Sequence, residues 1–161
     1  MEAPAIPAPM TMMPGERFAS APGVQHAGAP GERFASAPGA AFVAGDMLPN
    51  HAFVAQDSQL IDRAPEQGLA LNAVGFAASG MGAQAVDVED DGDLDVFVTH
   101  LRRQGHALYV QDARGKFRDD AARAGLLRPS LPFTGLGCGL AGCENDGDLD
   151  LFVANGRVGL E

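Results

Sequence analysis

Six acidic side chains lie within nine residues of this sequence, from Asp87 to Asp95, with no Lys or Arg among them. Oxygen-bearing side chains occupy positions 1, 3, 5 and 9 of this loop, and Gly92 occupies position 6. A loop that bends sharply at a glycine can point alternate carboxylates at one centre. Hard oxygen ligands in this number suit Ca²⁺, which takes six to eight of them at about 2.3–2.6 Å. Magnesium favours fewer protein ligands in a stricter octahedron, and zinc favours His and Cys, which this loop lacks.

The sequence therefore predicts a first Ca²⁺ site whose ligands are Asp87, Glu89, Asp91, Asp93 through its backbone carbonyl, and Asp95. A second acidic loop, residues 142–150, predicts a second site whose ligands are Glu144, Asp146, Asp148 and Asp150. Position 1 of this second loop is Gly142, so it has one carboxylate fewer and is expected to bind more weakly.

The acidic loops have two other interpretations. An EF-hand shares positions 1, 3, 5 and 6 but needs a bidentate Glu at position 12, where this chain has Val98 inside a predicted strand. Both loops could also be solvated acidic turns without a metal. The crowding of six carboxylates in nine residues argues against that for the first loop, because without a cation they repel one another.

The sequence also contains an internal repeat. The octapeptide Asp-Gly-Asp-Leu-Asp-Val-Phe-Val at residues 91–98 recurs at 146–153 with Leu in place of Val, at an offset of 55. Residues 51–57 match 106–112 at the same offset, and 62–69 match 119–126 at an offset of 57. Repeats of this length indicate that one structural unit occurs twice, at residues 49–104 and 105–161.

Each unit is predicted to contain four short strands. Residues 82–88 alternate in polarity, and 94–99 form an apolar run rich in β-branched side chains. Residues 107–111 and 116–119 are two further strands around a turn at 113–115, and 121–127 form a helical turn or a loop. Four short strands, repeated, are typical of the blades of a β-propeller. The predicted fold class is all-β, with two four-stranded propeller-type blades that form part of a propeller.

Residues 1–48 differ from the rest of the chain and are predicted to be a disordered leader. They are dominated by Ala, Pro, Gly and Met, and the decapeptide PGERFASAPG occurs twice, at 14–23 and 30–39. Too few large apolar side chains are present to offset the entropy of ordering such a segment. The alternative is that Glu-Arg-Phe is a repeated docking peptide.

Composition excludes several classes of partner. The net charge is −10, with 21 acidic and 11 basic residues, which disfavours nucleic acids and anionic membranes. The two acidic loops hold ten of the acids and no base, so the other residues are formally neutral. Neither a membrane-spanning segment nor a signal peptide is apparent. Cys138 and Cys143 lie five residues apart, and we expect both to be free thiols that fill the core.

The Gly-x-Gly before a strand and the D-x-[DE]-x-DGDLD-[VL]-FV loops resemble FG-GAP/VCBS-type repeats of integrin-α-like β-propellers. The likeness is nearest to the repeat region of cartilage-acidic-type proteins that carry an ASPIC/UnbV domain, and it covers residues 50–161. The resemblance implies calcium loops between the strands of each blade, a seven-bladed propeller and an extracellular or periplasmic location. Glu89 and Glu144 at position 3, where Asp is usual, and Gly142 depart from the family pattern.

The sequence is compatible with three kinds of function. The first is a calcium-binding repeat module with a structural, adhesion or binding role, without catalysis. Its partner would be a protein or carbohydrate ligand on the propeller face, or the missing blades of a larger parent protein. The second is a propeller-hosted lyase or hydrolase fragment with His100 and His106 as acid–base groups, although a histidine at a strand end is usually a surface or turn residue. The third is a truncated product without an independent role.

Overall fold

The computed structural model describes residues 18–19, 40–143 and 148–158 of the chain. The chain is all-β in these residues, as predicted, and its strands form three antiparallel sheets. The strands are β1 (Phe18–Ala19), β2 (Ala41–Val43), β3 (His51–Gln56), β4 (Gln59–Asp62), β5 (Gly80–Val86), β6 (Asp95–His100), β7 (Ala107–Gln111), β8 (Phe117–Asp119), β9 (Thr134–Ala141) and β10 (Asp148–Gly156). Two single-turn helices are α1 (Ala64–Gln67) and α2 (Leu127–Ser130).

The central sheet is a four-stranded meander in the order β5-β6-β7-β8. Its strands match the four predicted for the first acidic loop and the residues after it to within two residues at each end. Every residue of β6 and of β7 is buried. Gly115, at φ 74°, supplies the left-handed residue of the turn between β7 and β8, where the sequence predicted a turn.

The other strands form two three-stranded sheets. The first has the order β2-β3-β4, and the second has the order β1-β10-β9. β2 falls within residues 1–48, so a sheet begins before the end of the segment that we predicted as a leader. Residues 1–17 and 20–39 of that segment lie outside the described residues. Within the described residues these sheets are open; a closed propeller and propeller blades as such remain expectations from the sequence.

The repeat seen in the sequence is also present in the hydrogen bonding. Asp62 Oδ1 accepts hydrogen bonds from the backbone N–H groups of Ala52 and Ala64, both at 3.0 Å. Asp119 Oδ1 accepts the same pair of hydrogen bonds one unit later, at 3.2 and 3.1 Å, from the N–H groups of Leu108 and Ala121. Each aspartate thereby ties the start of one strand of a hairpin to the turn that follows the other strand.

Two apolar clusters form the core, one on each face of the central meander. The face that carries Val96, Val98 and Tyr109 packs with side chains of the first sheet and of α1. The face that carries Phe97 and Leu108 packs with β9 and β10. Strand alternation explains the split, since neighbouring residues of β6 point to opposite faces. The acidic loop between β5 and β6 is therefore anchored at the edge of a sheet that is covered on both sides.

Candidate metal centre

The first acidic loop connects β5 to β6 and turns tightly over its own backbone. Asp90 at φ 57° and Gly92 at φ 88° both adopt the left-handed conformation. The Asp87 carboxylate accepts hydrogen bonds from the N–H groups of Asp91 (3.2 Å) and Gly92 (2.9 Å). Asp91 Oδ1 accepts one from the N–H of Asp93 at 3.0 Å. Short acidic side chains thus shape this loop by capping its backbone donors.

Asp95 lies at the base of the loop and is 2% exposed. Its two carboxylate oxygens accept hydrogen bonds from the backbone N–H groups of Val88 (2.9 Å) and Gln111 (2.8 Å). Burial raises the pKa of this carboxyl to about 6, the two backbone N–H groups partly oppose that rise, and the charges of Glu89 and Asp91 add to it. Asp95 is therefore a buried acid whose ionised form lacks a compensating positive charge among its described neighbours.

The second loop is built in the same way where the structure describes it. Asp150 Oδ2 accepts a hydrogen bond from the N–H of Cys143 at 2.9 Å, which is the equivalent, one repeat later, of the Val88–Asp95 hydrogen bond. Asp148 and Asp150 are half-buried at the start of β10. The other two predicted ligands of this site, Glu144 and Asp146, lie outside the described residues.

The donor types of the first loop fit calcium, but its described side chains do not converge on one point. Within residues 40–143 and 148–158, no group of three or more His, Cys, Asp or Glu side chains is placed to hold a metal ion. Asp87 uses both carboxylate oxygens on backbone N–H groups, Glu89 and Asp91 are exposed, and Asp93 and Asp95 are buried. Each carboxylate oxygen keeps a further lone pair that could bind a cation. The carboxylate side chains of the loop would have to move closer together to share one cation.

The buried side-chain amide of Gln111 has no hydrogen-bond partner among the described residues. The side-chain Oε1 and Nε2 of Gln111 are both buried and unpaired in the structure, while its backbone N–H holds Asp95. An unpaired buried amide costs free energy. Gln111 was not among the predicted site residues, and only its hydrogen bond to Asp95 across the β6–β7 pair identifies it.

The two histidines considered as acid–base groups flank the β6–β7 turn, one of the two places expected for them, and both are buried rather than at the surface. His100 and His106 are 3% and 2% exposed. Burial lowers the pKa of His100, and burial together with His100 lowers that of His106 to about 4. Close packing by β9 contributes to this burial, since a side chain at Gly135 would meet His106 Nε2 at 2.8 Å. Both residues line a small cavity of about 100 Å³ with Asp119.

The third ionisable group of this cavity is already engaged. The two carboxylate oxygens of Asp119 accept hydrogen bonds from the backbone N–H groups of Leu108, Ala121 and Ala73, at 3.1–3.2 Å. His100 Nδ1 lies 2.7 Å from the carbonyl oxygen of Gly105, to which it donates. These bonds give His100 a structural role at the β6–β7 turn and Asp119 one between β7 and the turn that follows β8.

Both cysteines are free thiols, as predicted. Cys138 on β9 is half-buried beside the apolar cluster, and burial raises the pKa of its thiol. Cys143 is exposed at the start of the second acidic loop, so the expectation that it fills the core is wrong. Its backbone N–H is needed for the bond to Asp150, which places it on the loop.

No helix in the described residues has the length and apolar character required to cross a membrane. Comparison of the chain with protein-family models and with curated proteins finds no match to either.

Proposed function

We propose that this chain is a calcium-binding β-repeat module in which a cation organises the loop between β5 and β6. The repetition of one hydrogen bond carries the proposal. Asp95 and Asp150 end the two acidic loops, and each accepts the backbone N–H that lies seven residues before it, at 2.9 Å. The last carboxylate of each loop is therefore fixed in the same place relative to its strand.

The electrostatics of Asp95 support a cation rather than a solvated turn. A carboxyl that is 2% exposed and surrounded by other acids is unfavourable when ionised. A divalent cation within the loop would offset this cost and the repulsion among the other carboxylates. Asp87, Glu89, Asp91 and Asp95 would supply side-chain oxygens, and Asp93 its carbonyl.

The second loop is proposed to bind more weakly. Its proposed ligands are Glu144, Asp146, Asp148 and Asp150, and Gly142 supplies no oxygen side chain at position 1. The expected stoichiometry is therefore one strong site and one weak site in each chain.

Binding of a protein or carbohydrate ligand, in an extracellular or periplasmic setting, is the role that the resemblance to FG-GAP/VCBS-type repeats implies for such a module. We propose no catalytic activity. The described cavity that contains two histidines and an aspartate supports this, because the carboxylate of Asp119 is held by backbone donors.

Isothermal titration of the full chain with Ca²⁺ tests the proposal. Asp91→Ala removes an exposed carboxylate of the first loop and is expected to remove the stronger binding event. Asp112→Ala is the matched control, because Asp112 is an exposed acid that caps the turn between β7 and β8, outside both acidic loops. If Ca²⁺ gives no binding heat with the wild-type chain, the loops are solvated turns. The same conclusion follows if the wild type gives equal heats with Ca²⁺ and Mg²⁺, or if Asp91→Ala gives the same heat with Ca²⁺ as the wild type.

A further inference from the structure

Four exposed arginines share the end of the central sheet at which the chain turns from β6 to β7. They are Arg102 and Arg103 in that turn, Arg128 in α2, and Arg157 directly after β10. These four residues are called the arginine end. Their three segments, residues 101–105, 127–134 and 155–158, contain no acidic residue. The arginine end is therefore a positively charged surface in a chain whose net charge is −10.

Hydrogen bonds hold the three segments side by side. The N–H of Arg103 donates to the carbonyl oxygen of Leu131 at 2.8 Å, and the N–H of Arg102 donates to Thr134 Oγ1 at 3.1 Å. Thr134 also pairs with Gly156, the last residue of β10. These bonds use backbone groups, and none of the four guanidinium groups has an ion pair within the described part of the chain. Their charge is therefore available to a ligand.

The arginine end and the first acidic loop lie at opposite ends of β6. The loop precedes this strand, and the turn that contains Arg102 and Arg103 follows it. A strand of six residues spans about 20 Å. The Debye length at physiological ionic strength is about 8 Å, so solvent ions screen most of the charge of the loop from a ligand at the arginine end. The net negative charge of the chain therefore does not exclude an anionic partner at this end.

We propose that the arginine end binds an acidic polysaccharide. The planar guanidinium group of arginine can donate two parallel hydrogen bonds to a carboxylate or sulfate group. A single exposed ion pair contributes little to affinity, so the partner must engage several arginines at once. A sugar polymer with a carboxylate or sulfate on each repeat meets this requirement. The inference rests on the binding role proposed above and names its ligand class, and the arginine end contains no calcium ligand.

Two other kinds of polyanion fit this surface less well. Single-stranded nucleic acids bind through aromatic rings on which their bases stack. The one aromatic residue of the three segments, Phe133, is half-buried. Folded proteins bind through an apolar centre, and the exposed large apolar side chains of these segments are Leu131 and Val158, at 36% and 60% exposure. A polysaccharide that is held by its anionic groups needs neither feature.

Fluorescence anisotropy with labelled polysaccharides tests the proposal on the full chain. The probes are a heparin oligosaccharide, which carries sulfates, and an oligogalacturonate, which carries carboxylates. At least one is expected to bind at low salt in the presence of a calcium chelator, and added salt should weaken that binding. Binding of neither probe, or binding that appears only with Ca²⁺, would overturn the proposal. Tighter binding of an oligo(dT) or a polyglutamate of equal charge would overturn it as well.

Charge-matched variants locate the site. Arg102→Gln with Arg103→Gln removes two charges from the arginine end and should raise the Kd of the bound probe by about tenfold. Arg114→Gln with Lys116→Gln removes the same charge from the β7–β8 turn, at the other end of the sheet. This control should change the Kd by less than about twofold. Equal effects of the two double variants would show that only the net charge matters, and would overturn the site.

A second double variant and a calcium titration complete the test. Arg128→Gln with Arg157→Gln lies on the other two segments and should weaken the probe to a similar extent, whereas an unchanged Kd would contradict a shared surface. Isothermal titration of this variant with Ca²⁺ should match the wild type. Loss of polysaccharide binding with calcium binding intact is thus distinguishable from a failure of the proposed calcium site.

Discussion

His106 Nδ1 accepts a hydrogen bond from the backbone N–H of His100 at 3.1 Å. Neutral His106 consequently carries its proton on Nε2, the atom that packs against Gly135 of β9. Protonation would place a second N–H opposite that of His100 and put a charge in a residue that is 2% exposed. The turn between β6 and β7 is thus held by a histidine that must remain neutral.

The pH dependence of stability should contain two opposing contributions. Between pH 6.5 and about 4 the unfolded chain protonates His106 and the folded chain does not, so acidification in this window destabilises the fold. His100, whose pKa burial also lowers, acts in the same direction. Asp95 acts in the opposite direction, because the folded chain protonates it near pH 6 and the unfolded chain near 3.8. Each of His106 and Asp95 contributes on the order of 3 kcal/mol across its window.

Single variants are expected to separate these contributions. Asp95→Asn should show a steep loss of the free energy of unfolding as the pH falls from 6.5 to 4.5, and His106→Gln a shallower loss or a gain. Urea denaturation at a series of pH values measures both slopes. Asp57→Asn, at an exposed aspartate of the turn between β3 and β4, is the control and should follow the wild type. Parallel profiles for the Asp95 and His106 variants would contradict the assignment.

Calcium should change the same pH profile in the wild-type chain. A cation beside Asp95 lowers the pKa of its carboxyl and removes the stabilisation that acidification otherwise gives. With saturating Ca²⁺ the wild type should therefore be more stable at pH 7 and should lose stability on acidification as steeply as Asp95→Asn. Thermal denaturation with Ca²⁺ and with a chelator, from pH 7 to 4.5, measures the difference. Identical profiles in the two conditions would rule out binding near Asp95.

Gly135→Ala should destabilise the packing of β9 on the central sheet. A Cβ atom at this position would lie 2.8 Å from His106 Nε2 and 2.8 Å from Thr99 Cβ, both in buried side chains. We expect a loss of about 1–3 kcal/mol in urea denaturation, as for other overpacked sites. Gly137→Ala is the matched control on the same strand, because nothing lies within 4 Å of its added Cβ. Equal stabilities of the two variants would show that β9 does not press on His106.

Asp119→Asn should cost about 1–3 kcal/mol of stability. The Asp119 carboxylate accepts three backbone N–H groups, one of them from Ala73 in the preceding unit. An amide accepts through only one oxygen and has no charge, so at least one donor loses its partner. Asp120→Asn is the neighbouring control, since Asp120 pairs with exposed arginines. Urea denaturation compares the two, and a larger effect at Asp120 would refute the structural role of Asp119.

The central sheet could be predicted from the sequence, because each of its four strands has a clear pattern. Alternation before the acidic loop and the apolar run after it located β5 and β6, and the glycine at 115 located the turn that follows β7. β2 was missed, although Phe42, Val43 and Ala44 repeat residues 152–154. This copy has no acidic loop before it, so the motif that marks the other two copies is absent there.

The candidate site was harder to predict, because spacing alone does not say what a carboxylate contacts. The loop position of Asp87 predicted a metal ligand, while the structure shows its oxygens on two backbone N–H groups. Burial of His106 depends on the approach of Gly135 from β9, a strand distant from it in the chain, which no local pattern shows. Gln111 is polar and lies in a predicted strand, so only the structure reveals that its amide is buried and unpaired.

The hydrogen bonds that Asp62 and Asp119 accept across the two hairpins have a kinetic consequence. Asp62 lies 10 residues from Ala52, and Asp119 lies 11 from Leu108, so each of these hydrogen bonds closes a short loop. Loops of this length close within about 100 ns, far faster than distant strands find one another. Each hairpin can therefore close before the more distant strands of the chain pair with it. Folding is expected to start in these two hairpins, where the contacts are local in the chain.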